Sequence, residues 1–473
     1  MPEGAHQSGG VVRLLEIDRC DAGWPARRTL RCAYVPWQSV LPKSYFALSL
    51  AAIIVCPTVG HAQSVTTLVD PFVPVDFDRG RNKSVVEDVD PHFLPVGVRA
   101  GGVELFPAIS FASGATDNVY VNNVGKVSDA LFTLKPQLRA YSDWSRHNFS
   151  LNAGMDIVRY LHQSLRNRQE YTIASVGDLD ISKELKLRAK LNLDRQAETP
   201  YLSELTVNAS VLSQYTRFNP ALSVVYEASQ ARLTGAVEHY SFRFNNVTFT
   251  DGSVRSQAER DRNIERVALQ GDYAFTPSIA VYLQVNADHT HYLALRSDGS
   301  ANRDGNTYRL IGGLSLDLSG LLRGKVGLGY TRRLYDAARY GNVGGLTFES
   351  NLQLFVSPLT TVTLGARSAF QDINYNVTTG AYRDVTWSAG VDHALLRNLL
   401  LSANALLIQR SPVEKSDRLG QSIAQVRFQG AYQADRYTTL TIGLGFGRGR
   451  PTNNSGSVSF NEFSGQAAIQ LRL

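Results

Sequence analysis

The residues able to do chemistry in this chain are charged side chains set two positions apart. Lys186, Arg188 and Lys190 alternate with Leu185, Leu187, Ala189 and Leu191, and Asn192 and Asp194 continue the polar set around Leu193. On an extended chain, side chains two apart share a face, so three cations line up. A helix would scatter the apolar residues around its circumference. The same parity elsewhere collects Lys135, Arg139, Arg266, Arg309, Lys325, Arg333, Arg367, Arg427 and Arg472. The acids sharing it are Asp156, Asp178, Asp180, Asp194, Asp272, Asp288, Asp317 and Asp392. Around an aqueous pore, rings of Arg and Lys favour anions. The competing account is structural: these charges pair across strands and hold a hydrated wall together.

Other chemistry finds less support. His289 and His291 have a spacing that suits a metal, on the parity opposite to Gln284, Asn286 and Asp288. Both fall near the outer end of their strand, where an interfacial imidazole is ordinary, and no metal or cofactor is expected. No glycine-flanked serine elbow sits between a strand and a helix, so no enzyme is expected, although separated strands can assemble a site in space. The glycines between Gly341 and Gly345 precede no Lys-Ser/Thr pair and are not a phosphate cradle. With 48 basic and 42 acidic residues and a pI near 9.1, the charge is mild. No basic cluster interleaved with aromatics is present, which argues against nucleic acid.

The elements that position these charges are strands. At the end of the chain Phe463, Gly465, Ala467, Ile469, Leu471 and Leu473 share one face, and Ser464, Gln466, Gln470 and Arg472 the other. Phe132, Leu134, Leu138 and Ala140 oppose Thr133, Lys135, Gln137 and Arg139 in the same way. The apolar faces carry almost no charge, as expected of a surface that meets lipid. A soluble β-sandwich or β-helix would need charged exposed faces or a residue-level repeat, and neither is present. No apolar run of eighteen residues occurs outside the N-terminal region, which excludes a helical membrane bundle.

Short turns are predicted at Ser142–Arg146, Ser182–Glu184, Thr276-Pro277, Ser319-Gly320, Ser357-Pro358, Arg397-Asn398 and Ala434-Asp435. Longer polar connections fall at 245–260, 296–306, 372–382, 411–417 and 449–456. Short turns on one side and long loops on the other are the plan of an outer-membrane barrel, the short ones periplasmic. An unpaired backbone group in hydrocarbon costs several kcal/mol, so the sheet must close. The expectation is an all-β fold: a closed antiparallel transmembrane β-barrel of about eighteen strands over residues 101–473. The stretch 196–232 is hardest to place, because Pro220 falls within a strand near Thr216–Ala228.

Ahead of the barrel, Lys43, the apolar stretch Tyr45–Val55 and Gly60-His61-Ala62 read as a secretory signal cleaved near Ala62, before Gln63. A core helix or a single anchor is the bland alternative. The three cysteines, Cys20, Cys32 and Cys56, all precede that site, which suits export into an oxidising compartment. Within the leader, 1–62, the first 42 residues are long and aperiodic; the true start lies near Val40 or Leu41, or the leader is extended. Residues 63–100, rich in Pro and Asp, form an extended periplasmic arm that tucks into the barrel mouth, since proline lacks the donor a sheet interior needs.

The join between arm and barrel, Asp90-Pro91, then Pro95-Val96-Gly97-Val98-Arg99-Ala100-Gly101-Gly102-Val103-Glu104-Leu105-Phe106-Pro107, is followed by Thr116-Asp117-Asn118-Val119-Tyr120. It resembles the opening of the putative β-barrel porin type 2 family of Gram-negative outer-membrane proteins, from about residue 90 to the C-terminus. The resemblance implies an outer-membrane location and a link to exopolysaccharide synthesis and export, with no catalytic residues to carry over. Leu473 departs from the terminal Phe common in such barrels. Expected partners are outer-membrane lipid and lipopolysaccharide, the barrel-assembly machinery during insertion, and polysaccharide export proteins. The expected function is a passive conduit for anionic solutes or exopolysaccharide. The alternatives are a non-conducting structural or assembly protein of an export system and, less favoured, a barrel enzyme.

Overall fold

A computed structural model describes residues 82–198, 201, 211–249, 252–372, 381–413, 420–452 and 459–473. All lie in the second of two units, Leu41–Leu473. The leader, the three cysteines, and residues 63–81 of the arm lie outside the described residues.

Eighteen long antiparallel strands follow one another around a ring. They are β1 (Val103–Thr116), β2 (Asp129–Ser142), β3 (Asn148–Tyr160), β4 (Arg168–Asp180), β5 (Leu185–Ala197) and β6 (Gln214–Ala228). Next come β7 (Ala231–Phe244), β8 (Arg262–Thr276), β9 (Ile279–Tyr292), β10 (Gly305–Leu318), β11 (Leu322–Tyr335) and β12 (Val343–Ser357). The last are β13 (Thr360–Asp372), β14 (Ala381–Leu396), β15 (Leu399–Pro412), β16 (Gln421–Gln433), β17 (Thr438–Pro451) and β18 (Phe460–Arg472). Each pairs with the next, and β18 returns to β1 in the register Ala108↔Arg472 through Thr116↔Ser464. That last pairing closes the cylinder and leaves no long edge. A three-residue strand, Val98–Ala100, folds back on β1 through Gly101-Gly102, so the final residues of the arm do join the sheet, at its rim.

Alternation sets the two faces. Along β8, Ile264, Arg266, Ala268, Gln270 and Asp272 are buried, whereas Val267 and Leu269 are 58% and 51% exposed. Ile109, Phe111, Leu283, Leu328 and Ile442 are likewise exposed. An apolar patch this large has no place in water and is satisfied by hydrocarbon. The charged residues predicted to share a parity all fall on the opposite, lumenal face.

Pro220 does not interrupt β6. Its neighbours keep one register with β7, Phe218↔Ser241 and Ala221↔Glu238. Proline cannot donate to the facing His239 carbonyl, and the Asn219 side-chain amide donates to that oxygen instead, at 2.9 Å.

Candidate functional site: the lumen and its short-turn mouth

The lumenal wall is laced by ion pairs between strands. Lys135 meets Asp156 at 2.9 Å and Arg188 binds Asp178 at 2.9 Å through Nη2. Lys186 approaches Asp180 only to 3.9 Å. Arg266 binds Asp288 at 2.8 Å and Glu238 at 3.2 Å. Asp194 pairs with Arg217 at 2.8 Å, Arg309 with Glu349 at 2.7 Å, and Arg333 with Asp372 at 2.7 Å. Lys325 and Arg367 also have interacting partners, and Arg367 stands in register with Glu349. For the residues in these ion pairs the structural account of the charges holds.

Four predicted cations differ. Among the described residues, Arg139, Lys190, Arg427 and Arg472 form no ion pair with a carboxylate. Arg472 instead donates to the backbone oxygens of Phe93 and Arg436, at 3.0 and 3.1 Å. The lumenal acids that lack a cation are engaged otherwise. Asp317 accepts from Asn82 at 2.7 Å, Asp392 from Ser402 at 2.6 Å, and Glu462 from Thr116 at 2.7 Å.

The interior is filled at several levels. Gln270, Gln284 and Thr133 are each only 1% exposed. Tyr282 on β9 lies across the inward glycines of β10 and β11 to reach Glu349 on β12, at 3.4 Å. A Cβ on Gly313 would stand 2.7 Å from the Tyr282 ring, and one on Gly327 would collide with its hydroxyl. Tyr201, from the connection between β5 and β6, reaches β18: it stacks on Phe460 at 4.9 Å and donates to Glu462.

At the long-loop end, arginines stack on aromatics. Arg260 lies 4.0 Å over Phe244, Arg410 3.8 Å over Tyr382, and Arg303 5.0 Å over Tyr292. Arg260 also holds Glu198, just past β5. Burial by itself would raise the Glu198 carboxyl, but the Arg260 guanidinium prevails and holds it below the ordinary glutamate range.

At the short-turn end the N-terminal segment enters the mouth. Asn82 donates to Asp317 and to Leu318 O, at 2.7 and 3.1 Å, and accepts from Gly320 N at 2.6 Å. Val85 N donates to Thr361 Oγ1 at 3.0 Å, and Glu87 binds Arg323 at 2.8 Å. The chain then runs from the β10–β11 turn to β1, which is halfway around the ring. Residues 82–98 therefore run along the short-turn mouth, with Val85 on Thr361 of β13 and Phe93 on Arg472 of β18, a span that an extended chain of this length covers within about 50 Å.

Sequence reasoning missed the lumenal cations Arg217, Arg232, Arg323 and Arg410, and the acids Glu238, Glu349, Asp372 and Asp384, which bind Arg266, Arg309, Arg333 and Arg410 in turn. Arg217, Arg232 and Arg410 share the parity of the lumenal set on their strands, so the signal was present. His289 and His291 face outward and bind Asn306 and Asp304, each at 3.0 Å. No metal-holding cluster occurs among the described residues.

A closed antiparallel cylinder with an apolar exterior and a charged lumen defines a transmembrane β-barrel. The chain belongs to the family described as Putative beta-barrel porin 2, whose model matches residues 90–471. It is thus a porin-like barrel of the outer membrane. No curated protein matches it. Among solved structures, it is similar to the outer membrane protein OpdK from Pseudomonas aeruginosa, at 12% identity over 78% of this chain and 99% of that one, with a TM-score of 0.41. It is similar to Pseudomonas aeruginosa OccK2 (OpdF) in complex with glucuronate, at 13% identity over 78% and 98%, with a TM-score of 0.43. A ferric enterobactin receptor (PfeA) mutant from the same organism gives 9% identity over 78% and 80%, with a TM-score of 0.42.

Proposed function

We propose that the protein is a passive conduit for small anionic solutes, narrowed at its short-turn mouth by its own residues 82–98. The observation that carries this reading is a set of lumenal cations that bind no carboxylate directly. Arg139, Lys190 and Arg427 have no carboxylate partner, whereas Asp317, Asp392 and Glu462 are occupied by donors from the wall or the arm. Unmatched cations on a pore wall favour anions. The filled interior and the segment along the mouth favour solute-sized cargo; an acidic polysaccharide is the second candidate, and its passage needs the segment displaced. Cleavage near Ala62 leaves an arm that begins at Gln63 and ends in this strap, and N-terminal sequencing of the exported protein checks that site.

Planar-bilayer recording across a salt gradient tests the conduit. The expected reversal potential has the sign of anion preference, and the triple substitution Arg139→Gln, Lys190→Gln, Arg427→Gln moves it toward zero. A folded protein that conducts no current, even with residues 63–97 deleted, would instead favour the structural or assembly role.

A further inference from the structure

The outer face of the barrel carries a second pattern of charge, unrelated to the lumen. Among the described residues, the outward parity of the strands bears no Lys, Arg, Asp or Glu in the half nearest the short turns. Near the long loops it bears Arg159 on β3, Arg195 on β5, Arg243 on β7, Arg332 on β11, Arg383 on β14, and Arg448 with Arg450 on β17. Each lies within three residues of the long-loop end of its strand, hence within about 10 Å of that rim at a strand's rise. Among the described residues, the outward face has one exposed strand acid, Glu265, and it is already bonded to His239 at 2.6 Å.

None of these arginines forms an ion pair with a carboxylate among the described residues. Several are held in place by neutral acceptors, as Arg243 is by Asn263 Oδ1 at 3.1 Å and Arg159 by Val158 O at 2.9 Å. The contrast with the lumen, where most cations are matched by acids, is the informative point. A guanidinium at the edge of an apolar band is well matched to phosphate, which it can bind through two parallel N–H donors.

One part of the rim adds shape to charge. A groove of about 400 Å³ opens on the lipid face at the closing seam, floored by Ser113, Ala115, Ala130, Gly465 and Ala467 and flanked by Phe132. Small side chains on β18 and β1 leave it open beside Ile442, Leu444 and Phe463, which are all exposed. On the neighbouring β17, Arg448 stands in register with Asn461, four residues nearer the loops than Gly465. That offset is about 13 Å along the strand, so the two cations sit above the groove as a headgroup sits above its chain.

We propose that this rim binds a phosphorylated lipid of the outer leaflet, with Arg448 and Arg450 on its phosphate and one acyl chain in the groove at the β18–β1 seam. The proposal rests on the barrel's place in the outer membrane and is independent of whether the lumen conducts.

The test is lipid binding to the detergent-purified full chain, read by native mass spectrometry, with bisphosphorylated lipid A and its phosphate-free form as probes. The phosphorylated form is expected to bind and the phosphate-free form to bind far more weakly. Removing two rim cations by Arg448→Gln with Arg450→Gln should weaken binding about thirtyfold, on the scale of charges at a lipid surface. Filling the groove by Ala467→Leu should weaken it too, with both arginines intact. Equal binding of the two probes to the unaltered protein overturns the proposal. So does unchanged binding in a double variant whose gel mobility still shifts on boiling, the sign of a folded barrel.

Discussion

The Glu87 carboxylate grips the Arg323 guanidinium with both oxygens, at 2.8 and 3.0 Å, although 236 positions separate them in the chain. Glu87 belongs to the segment that precedes the barrel, and Arg323 to the lumenal face of β11 beside the short turn. Their bond, with the Asn82 contacts to the same turn, pins the strap to the wall opposite its covalent attachment at β1. The strap is therefore fixed at both ends along half of the short-turn rim.

Breaking that grip should open the mouth. A hydrogen-bonded charge pair of this kind contributes about 1.5–3 kcal/mol, so Glu87→Gln should raise the detached population about tenfold or more. Single-channel recordings should show larger or more frequent openings, and Arg323→Gln should reproduce them. Identical traces for both variants and the parent would mean the strap does not obstruct the pore.

The paired lumenal charges should matter for stability more than for selectivity. Arg188→Gln strands the Asp178 carboxylate in a half-buried wall, and loss of one partner from such a pair costs about 3–5 kcal/mol. Pairing it with Asp178→Asn should recover most of that loss. The readout is the temperature at which gel mobility changes from folded to unfolded barrel.

Acid should loosen the long-loop end. Glu198 is held below the ordinary glutamate range by Arg260, so its bond stabilises the folded form above the unfolded pKa. That contribution is lost as pH falls through the depressed folded value. Conductance or protease accessibility of the connection after β5 should change only below the normal glutamate range, and Glu198→Gln should show the acid behaviour at neutral pH. A transition near pH 7 would assign it to other groups.

Asn219 should be needed only because residue 220 is proline. Asn219→Ala leaves the His239 carbonyl without its donor, a loss of about 1–3 kcal/mol. Restoring a backbone N–H with Pro220→Val in the same chain should recover it. A full loss in the double variant would show that Asn219 acts through something other than that carbonyl.

Much of the barrel was legible because a strand writes its environment at every second position. Lys186, Arg188 and Lys190 opposite Leu185, Leu187 and Ala189 give both the period and the face, and the spacing of short turns gives the count. Pro220 was harder to place because its missing donor is replaced by a side chain whose direction no pattern records. The charges were legible as a set but not as partners. Arg188 and Lys190 look alike in sequence, and only Arg188 has Asp178 in reach, because pairing depends on the register of β4 against β5.

By itself the sequence determined an all-β membrane cylinder of about eighteen strands, with charge inside and hydrocarbon outside, since alternation is local and lipid admits no unpaired backbone. Tertiary structure alone decided which charges neutralise one another, that Tyr282 reaches Glu349 and Tyr201 reaches Glu462, and that residues 82–98 line the short-turn mouth. Those outcomes join residues hundreds of positions apart, as Asn82 is to Asp317. The physical reason is that closing the sheet by β18 on β1 fixes every wall position at once, and only then does each side chain acquire its neighbours.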